Sequence, residues 1–324
     1  MCTAATYVSR DHYFGRNLDL EYSYHEQVTV VPRNFCFELR NGERIEKHEA
    51  MIGMAFVAGG YPLFYDAINE SGFGMAGLNF PDNCDFREPA ADKTNIASFE
   101  LIPYILSDCT TVDEAKEKLE NVNITNVAFA KELPPNPLHW MISDKEKQIV
   151  VEQTKTGLHI YDDPVGVLTN NPTFDMQLMM LSNYRNITVE QGDCRFADGL
   201  DLHAYSRGMG GMGLPGDLSS ASRFAKVAFT RMNSKSGEDE SSSVSQFFHI
   251  LGSVEQQRGL CKLGEDKYEI TIYSSCCNQD KGIYYYTTYE NSRINAVNMH
   301  NEDLDGTEIK AYDLIKGQDI NWQN

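Results

Sequence analysis

The sequence contains no long apolar run and no excess of positive charge. None of its apolar stretches approaches the ~18 residues that a membrane-spanning helix needs, and no basic region followed by an apolar run opens the chain. Lys and Arg number 28 against 47 Asp and Glu, so the formal net charge is −19 at pH 7. We therefore expect a cytoplasmic protein that binds neither nucleic acid, which requires a basic footprint, nor an anionic membrane surface.

Several short motifs of catalytic and ligand-binding proteins are also missing. No C-x-x-C occurs, the eight histidines lack H-x-x-x-H spacing, and no G-x-S-x-G is present. The glycine run GMGGMG at 208–213 has no strand before it and no acidic residue at the distance that dinucleotide binding needs. We expect no metal, no cofactor and no serine-based α/β-hydrolase mechanism.

Eight cysteines are spread along the chain. A long chain without a secretion signal favours reduced thiols over disulfides. For five of them the sequence predicts nothing more than small buried side chains: Cys36, Cys84, Cys109, Cys194 and Cys261.

Strand-like segments, rich in β-branched and aromatic residues, fill the first third of the chain, return at 139–170 and again at 268–289. Helical spacing or capping signals appear between them, and the predicted helices are 98–109, 111–122, 218–232 and 244–257. We predict exposed irregular structure for the polar run at 233–245. The order of elements predicts an α+β fold in which two antiparallel sheets pack together and helices cover their outer faces. No composition shift divides the chain, so we predict one domain over 1–324.

The chain opens with MCTAATYVSRDHYFGRNLD, which has the alternation of a β-hairpin. A two-residue turn at Arg10 and Asp11 would place Cys2 opposite Asp19, with Cβ atoms ~5 Å apart. Arg-Asp is not a preferred hairpin turn sequence, so a register shifted by one residue stays open.

Cys2 follows the initiator methionine, which cells commonly remove when the next residue is small. The exposed α-amine has a reference pKa of ~7.7 to 8.0 and the thiol one of ~8.5, so one residue supplies a nucleophile and its base. Asp19 would hold the amine and Arg16 would favour the thiolate. Strict alternation puts Arg16 and Asp19 on opposite faces, so we predict a bend or an end of the strand near Leu18. The alternative is an accidental cysteine beside an ordinary surface ion pair.

Five separated segments together resemble the signature blocks of the choloylglycine hydrolase family, whose members are cysteine N-terminal nucleophile hydrolases. The segments are MCTAATY at 1–7, FGRNLD at 14–19, GMAGLNF at 74–80, GVLTNNP at 166–172 and LPGDLSSASRF at 214–224. They occur in the family's order, and the resemblance runs almost end to end. It implies removal of Met1, a four-layer αββα sandwich and a homotetramer.

The resemblance also implies a role for six residues. Cys2 resembles the nucleophile, and Arg16 and Asp19 resemble the pair that supports and orients it. Asn79 and Asn170 resemble the asparagines that orient substrate and stabilise the oxyanion, and Arg223 resembles an active-site arginine on a helix. Without the resemblance, each asparagine would be interpreted as a residue that favours a turn, and Arg223 as a charged residue on the surface of a helix.

The substrate class follows from the same resemblance. Asn79 resembles the branch that acts on glycine- or taurine-conjugated bile acids, because the penicillin branch tends to carry an aromatic residue there. Contacts to the substrate would come from Cys2, Arg16 and Asn79, and contacts to the sterol from Leu20, Tyr24, Phe64 and Phe129. Two alternatives stay open: a penicillin V acylase or N-acyl-homoserine lactone amidase on the same fold, and an inactive sterol-binding protein.

Overall fold

A computed structural model describes residues 1–324 and contains twenty strands and five α-helices. The strands are β1 (Cys2–Val8), β2 (His12–Leu20), β3 (Gln27–Val31), β4 (Phe37–Glu38), β5 (Arg44–Ile45), β6 (Met51–Ala58), β7 (Tyr61–Asn69), β8 (Gly74–Asn79), β9 (Thr94–Ala97), β10 (Val122–Thr125), β11 (Leu138–Ser143), β12 (Gln148–Thr154), β13 (Gly157–Asp162), β14 (Val167–Leu168), β15 (Lys262–Gly264), β16 (Lys267–Tyr268), β17 (Ile270–Asn278), β18 (Ile283–Thr288), β19 (Asn291–Asn298) and β20 (Lys310–Asp313). The helices are α1 (Leu101–Leu106), α2 (Val112–Leu119), α3 (Phe174–Leu181), α4 (Ser220–Asn233) and α5 (Glu240–Gly252), with short 3₁₀ turns at Ser98–Glu100, Ser182–Tyr184, Met209–Gly211 and Met299–Asn301.

Fourteen of these strands form two large antiparallel sheets. The six-stranded sheet has the order β14-β1-β2-β17-β18-β19, and the eight-stranded sheet has the order β13-β12-β11-β8-β7-β6-β3-β20. The first hairpin therefore lies at the centre of its sheet, because β14 closes one side of β1 and β17 pairs with the other side of β2. A chain end that is usually frayed is here part of the core.

Two hydrophobic clusters lie between the layers and pack them together. The inner core, a cluster of 38 buried residues, joins the two sheets and continues to α4 and α5. The outer core, a cluster of 24 buried residues, lies between the eight-stranded sheet and helices α1 and α2. Along β11 the side chains alternate as a pleated strand requires, with Met141 in the inner core and Trp140 and Ile142 in the outer core. The predicted αββα four-layer sandwich is confirmed.

The start of α2 follows from capping, because Thr111 and Glu114 have the T-x-x-E spacing of a capping box. The Thr111 hydroxyl accepts a hydrogen bond from the backbone N–H of Glu114 at 3.2 Å, and the Glu114 carboxylate accepts one from Thr111 at 3.1 Å. This reciprocal pair satisfies backbone donors that the first turn of α2 would otherwise leave free. For α4 the sequence offers Ser219 or Ser220 as the N-cap; Ser219 holds that position, but its side chain makes no capping hydrogen bond.

Two helix predictions need correction. The polar run predicted as irregular becomes helical from Glu240, because the Asp239 side chain caps the N–H of Ser242 at 2.9 Å and starts α5 early. Helix α3 was not predicted, since its sequence FDMQLMML is apolar on nearly every side and gives no amphipathic period.

The register of the first hairpin is shifted by one residue from the predicted one. Cys2 pairs with Leu18 and Val8 with His12, because the turn contains three residues and the N–H of Ser9 bonds the carbonyl of Asp11 at 3.1 Å. Strand β2 continues to Leu20 without the predicted break. The irregularity lies on its partner β17, where Ile272 is an extra residue between the pairs Thr271–Asp19 and Tyr273–Leu18.

The eight thiols are all unpaired in the structure. Cys109 is buried, as predicted, but Cys36, Cys84 and Cys261 are only partly buried, and Cys194 is exposed. The prediction was wrong for Cys194, which lies in the long, largely exposed and mostly irregular segment between α3 and α4. Among the helices, none has both the length and the apolar character needed to span a lipid bilayer.

Candidate active site

The side chain of Cys2 lies at the start of β1 and is only 3% exposed. Because β14 pairs with β1, the residues that follow β14 arrive beside Cys2. The backbone N–H of Cys2 donates to the side-chain oxygen of Asn170 at 2.9 Å, and the carbonyl of Cys2 accepts from Arg223. Both backbone polar groups of the predicted nucleophile are thus held by predicted site residues.

Arg223 lies in the first turn of α4 and points its guanidinium at β1. Besides the carbonyl of Cys2, its fork binds the Thr3 hydroxyl and the Asn170 side-chain oxygen, each at 2.6 Å. Burial lowers the pKa of Arg223, and the negative charges of Asp19 and Cys2 act in the opposite direction. The planar, fully buried fork binds these acceptors from two nitrogens at fixed positions, a geometry that a single ammonium nitrogen does not reproduce.

The two predicted asparagines meet where one strand of each large sheet ends. Asn79 is the last residue of β8 and Asn170 follows β14, each just before a proline-containing turn. The side-chain nitrogen of Asn170 donates to the backbone carbonyl of Asn79 at 2.6 Å. The backbone N–H of Asn170 donates to the Ser220 hydroxyl at 2.8 Å. Because the side-chain oxygen of Asn170 accepts from Cys2 and Arg223 while its side-chain nitrogen donates to Asn79, the orientation of this amide is set from both sides.

Arg16 lies on β2 with its side chain fully buried. One terminal nitrogen donates to the carbonyls of Tyr65 (3.1 Å) and Gly77, while the other is buried without a partner. Burial opposes the charge of Arg16, but the nearby negative charges of Cys2 and Asp19 outweigh it and raise its pKa. The unpartnered nitrogen is a free donor on a guanidinium whose charge interacts with that of Cys2.

Asp19 is also fully buried, and one of its carboxylate oxygens accepts a hydrogen bond from the Thr271 hydroxyl at 2.6 Å. The other oxygen has no partner. Burial raises the pKa of the Asp19 carboxyl, and Arg223, the chain terminus and Arg16 act against that rise. Although Asp19 is not directly opposite Cys2, it belongs to the same cluster of charges.

Met1 extends the hairpin by one residue and pairs with Asp19. The terminal amine donates to the carbonyl of Asp19 at 2.7 Å, the N–H of Asp19 donates to the carbonyl of Met1 at 2.9 Å, and the amine forms an ion pair with Glu269. While Met1 is present, the nitrogen of Cys2 is an amide without useful basicity.

The four residues predicted to contact a sterol are not brought together. Leu20 packs against the inner core that contains Cys2, whereas Phe64 belongs to the outer core on the other side of the eight-stranded sheet. Tyr24 is exposed, and its hydroxyl lies 3.3 Å from that of Tyr22. Phe129 packs against other aromatic rings: its ring centroid lies 5.7 Å from that of Tyr61 and 5.3 Å from that of Phe99.

Four residues around the site were given no role from the sequence, although Thr3 and Ser220 lie within the segments that resemble the family. Thr3 and Ser220 hold Arg223 and Asn170, and Glu269 receives the terminal amine. Tyr65 holds Arg16 through its carbonyl, and burial raises the pKa of its phenol, which also senses the charges of Arg16 and Cys2. Thr3 directly follows Cys2 in the chain, whereas the other three residues reach the site only through the fold. No group of three or more His, Cys, Asp or Glu side chains is placed to hold a metal ion.

The sequence is similar to those of known proteins. The profile of linear amide C–N hydrolases, choloylglycine hydrolase family, matches residues 2–312. The chain belongs to this family. A relative from Lactiplantibacillus plantarum named bile salt hydrolase/transferase is 54% identical over 314 residues, which cover 97% of each chain.

Solved structures support the choloylglycine hydrolase fold. A variant of the conjugated bile acid hydrolase from Clostridium perfringens matches with a TM-score of 0.93 and 42% identity, covering 100% of both chains. A penicillin V acylase from Agrobacterium tumefaciens matches with a TM-score of 0.77 and 19% identity, covering 97% of this chain and 92% of that chain, which shows the shared fold alone. Membership of the family, the enzyme class and the fold predicted from the sequence are confirmed.

Proposed function

We propose that this protein is a bile salt hydrolase that cleaves the amide bond of glycine- and taurine-conjugated bile acids, with Cys2 as the nucleophile after Met1 is removed. The observation that carries the proposal is a pair of hydrogen bonds to the backbone of Cys2: Asn170 accepts from its N–H, and Arg223 donates to its carbonyl. A residue that had reached position two by accident would not need a fully buried guanidinium for its carbonyl.

Removal of Met1 converts the nitrogen of Cys2 from an amide into an amine. Asn170 already accepts a hydrogen bond from that nitrogen, and the unpartnered oxygen of Asp19 is a second acceptor in the same cluster. The amine takes the proton of the Cys2 thiol, and the sulfur forms a bond to the amide carbon of the substrate. The unpartnered nitrogen of Arg16 favours the thiolate.

The carbonyl oxygen of the substrate becomes an oxyanion in this step. Asn79 and Asn170 supply neutral amide donors that do not titrate, and one well-placed donor of this kind can contribute ~3 kcal/mol to the stabilisation of the transition state. The C–N bond then breaks, and the ammonium of Cys2 gives its proton to the departing glycine or taurine nitrogen. The bile acid remains attached to the sulfur as a thioester.

Water completes the cycle. The amine of Cys2 takes a proton from the water as its oxygen attacks the thioester carbon. The C–S bond breaks, and the thiol is restored while the free bile acid leaves.

Substitution of Cys2 tests this proposal most simply. In the Cys2→Ala and Cys2→Ser variants, release of taurine from taurocholate should fall to the uncatalysed level, and intact mass should confirm that Met1 is still removed. The Cys194→Ser variant is the matched control, because Cys194 is exposed and far from the site in sequence. Full turnover by Cys2→Ala would sink the proposal.

The alternative substrates are decided by side-by-side kinetics. We propose that kcat/KM is higher for taurocholate than for penicillin V or an N-acyl-homoserine lactone, because an asparagine rather than an aromatic residue stands at Asn79. An inactive sterol-binding protein would bind taurocholate without releasing taurine. A higher kcat/KM for penicillin V would assign the protein to the other branch.

We also propose that the chain assembles as a homotetramer in the cytoplasm, with no affinity for nucleic acid. The segment between α3 and α4 exposes large apolar side chains, among them Phe196 by 79% and Tyr205 by 82%, which contact with other copies of the chain would cover. Eight unpaired thiols suit a reducing compartment, and a net charge of −19 disfavours nucleic acid. Light scattering should give four times the 36.6 kDa of one chain, and cell fractionation should recover the activity with cytoplasmic markers.

A further inference from the structure

A histidine and a glutamate form a fully buried pair beside the asparagines of the site. His139 on β11 and Glu152 on β12 are both 0% exposed, and the Nδ1 of His139 lies 3.0 Å from a carboxyl oxygen of Glu152. A buried pair of this kind has a cost in desolvation that good geometry has to offset. Nothing in the mechanism above uses it.

The imidazole of His139 contacts the neighbours of both asparagines. Its Nε2 lies 3.0 Å from the carbonyl of Thr169, the residue before Asn170. Its ring stacks on Phe80, the residue after Asn79, with ring centroids 4.2 Å apart and planes inclined by 6°. Because a carbonyl only accepts, Nε2 carries a proton and donates it to Thr169.

Glu152 fixes the other end of the same loop. The carboxyl oxygen that faces His139 also accepts a hydrogen bond from the N–H of Phe174 at 3.1 Å, where α3 begins. From α3, the Gln177 amide donates to the carbonyl of Asn170 at 2.5 Å. The segment 169–174 is therefore held at its start by His139 and at its end by Glu152.

We infer that His139 and Glu152 are positioning residues that hold Asn79 and Asn170 in place for the oxyanion and for the Cys2 amine. The inference rests on the proposed function, since it assigns the pair a part in that reaction. Neither side chain is placed to touch the substrate. A displacement of Asn170 by about 1 Å would be enough to lower the rate up to about 100-fold.

Two substitutions of His139 separate positioning from bulk stability. In His139→Gln the amide nitrogen can reach the place of Nε2 and donate to Thr169, whereas in His139→Asn the shorter amide reaches only the place of Nδ1. His48→Asn is the matched control. His48 is also a buried histidine, with its ring nitrogens 2.7 and 2.8 Å from the carbonyls of Glu49 and Phe35, but it packs on Phe37 of the outer core.

We expect His139→Asn to lower kcat for taurocholate about 10- to 100-fold with little change in KM, because the oxyanion forms only in the transition state. His139→Gln should recover most of this loss. His48→Asn should lower the melting temperature to a similar degree as His139→Asn and leave kcat near the wild-type value. If His139→Asn does not fold, Glu152→Gln, which keeps the shape of the side chain, should lower kcat in the same direction.

Wild-type kcat in His139→Asn (or in Glu152→Gln if that variant replaces it), an equal loss in His48→Asn, or equal kcat in His139→Asn and His139→Gln would each overturn the inference. Crystal structures of the variants supply a readout without substrate. In His139→Asn the Asn170 oxygen should move beyond hydrogen-bonding distance of the Cys2 nitrogen, and an unmoved Asn170 contradicts the inference. A wild-type enzyme that releases no taurine would refute the proposed function alone, because the displacement of Asn170 can still be measured.

Discussion

At the scale of single residues, the site depends on one guanidinium. Arg223 is the group that joins the nucleophile, the residue after it and the Asn170 oxygen, and its Nε donates to the carbonyl of Leu218 at 3.0 Å. The family resemblance singled out Arg223, but nothing local in the sequence distinguishes it from a surface arginine. Its importance comes from helix α4 starting where it does.

We predict that Arg223→Lys lowers kcat/KM by about 100-fold or more, because one ammonium cannot replace a fork that binds three acceptors, and a buried unpaired acceptor is costly. Arg231→Lys is the matched control. Arg231 lies two turns later on α4 and binds the carbonyl and hydroxyl of Thr6, each at 2.7 Å. Both variants should lose stability in thermal unfolding, and equal loss of activity in the two would contradict the role given to Arg223.

The cysteines give a second prediction at this scale. Burial raises the pKa of Cys109 to about 12 and that of Cys84 to about 11, and it raises the pKa values of Cys276 and Cys277 well above their usual range. Backbone hydrogen bonds lower the pKa of the exposed Cys194. Since the thiolate is the reactive form, iodoacetamide at pH 8 should modify Cys194 in the native protein and leave the four others unmodified.

Peptide mapping by mass spectrometry measures this directly, with protein unfolded in guanidinium as the control in which all eight thiols react. Rapid native labelling of Cys276 or Cys277 would show that the centre of the six-stranded sheet is open to solvent, contrary to its burial in the structure.

At the scale of elements, the sequence predicts which segments are strands but not how they register. The alternation of residues 2–20 identifies a hairpin, and its turn residues left two registers possible. Tertiary pairing decides between them, because β14 and β17 hold the hairpin on both sides. Helix α3 was missed for a related reason, because packing against neighbours rather than its own pattern makes it a helix.

Gly15 tests this account of the sheet. A Cβ added there would lie 2.1 Å from the carbonyl oxygen of Ser275 on β17, a backbone atom that cannot move without breaking the pairing. We predict that Gly15→Ala destabilises the protein by about 1 to 3 kcal/mol or more, as overpacking in a core does. Gly252→Ala is the control, because no atom lies within 4 Å of the added Cβ.

Chemical denaturation of the two variants provides the comparison. Gly252→Ala should be neutral or slightly stabilising, since alanine favours a helix by up to about 1 kcal/mol over glycine. Wild-type stability in Gly15→Ala would mean that β2 and β17 are not as close as the structure places them.

At the scale of the whole molecule, the net charge of the protein and the charge of the substrate have the same sign. The chain carries a formal charge of −19, and a conjugated bile acid is an anion. Repulsion between like charges slows association, and salt limits the range of this repulsion to about 8 Å at physiological ionic strength.

The four-layer architecture was predictable because strand and helix segments alternate in blocks. Sterol contacts are harder to predict, because they depend on which face of a strand is turned to which layer. Leu20 packs against the inner core and Phe64 lies in the outer core, and their contact with a sterol stays a prediction.

We predict that kcat/KM for taurocholate rises as salt is added from low ionic strength to about 0.15 M, measured below the concentration at which the bile salt forms micelles. An uncharged amide of the same bile acid should show no such rise. A fall of kcat/KM with salt would mean that a local positive field around Arg16 and Arg223 dominates the approach of the substrate.

The central claim is that Cys2, freed of Met1, carries the acyl group during turnover. The direct measurement is to quench the enzyme with acid during hydrolysis of taurocholate and to locate the bound bile acid by peptide mass spectrometry. The account predicts a peptide that begins at Cys2, lacks Met1 and carries one bile acyl group. Turnover with no acylated peptide, or with the acyl group on another residue, would contradict it.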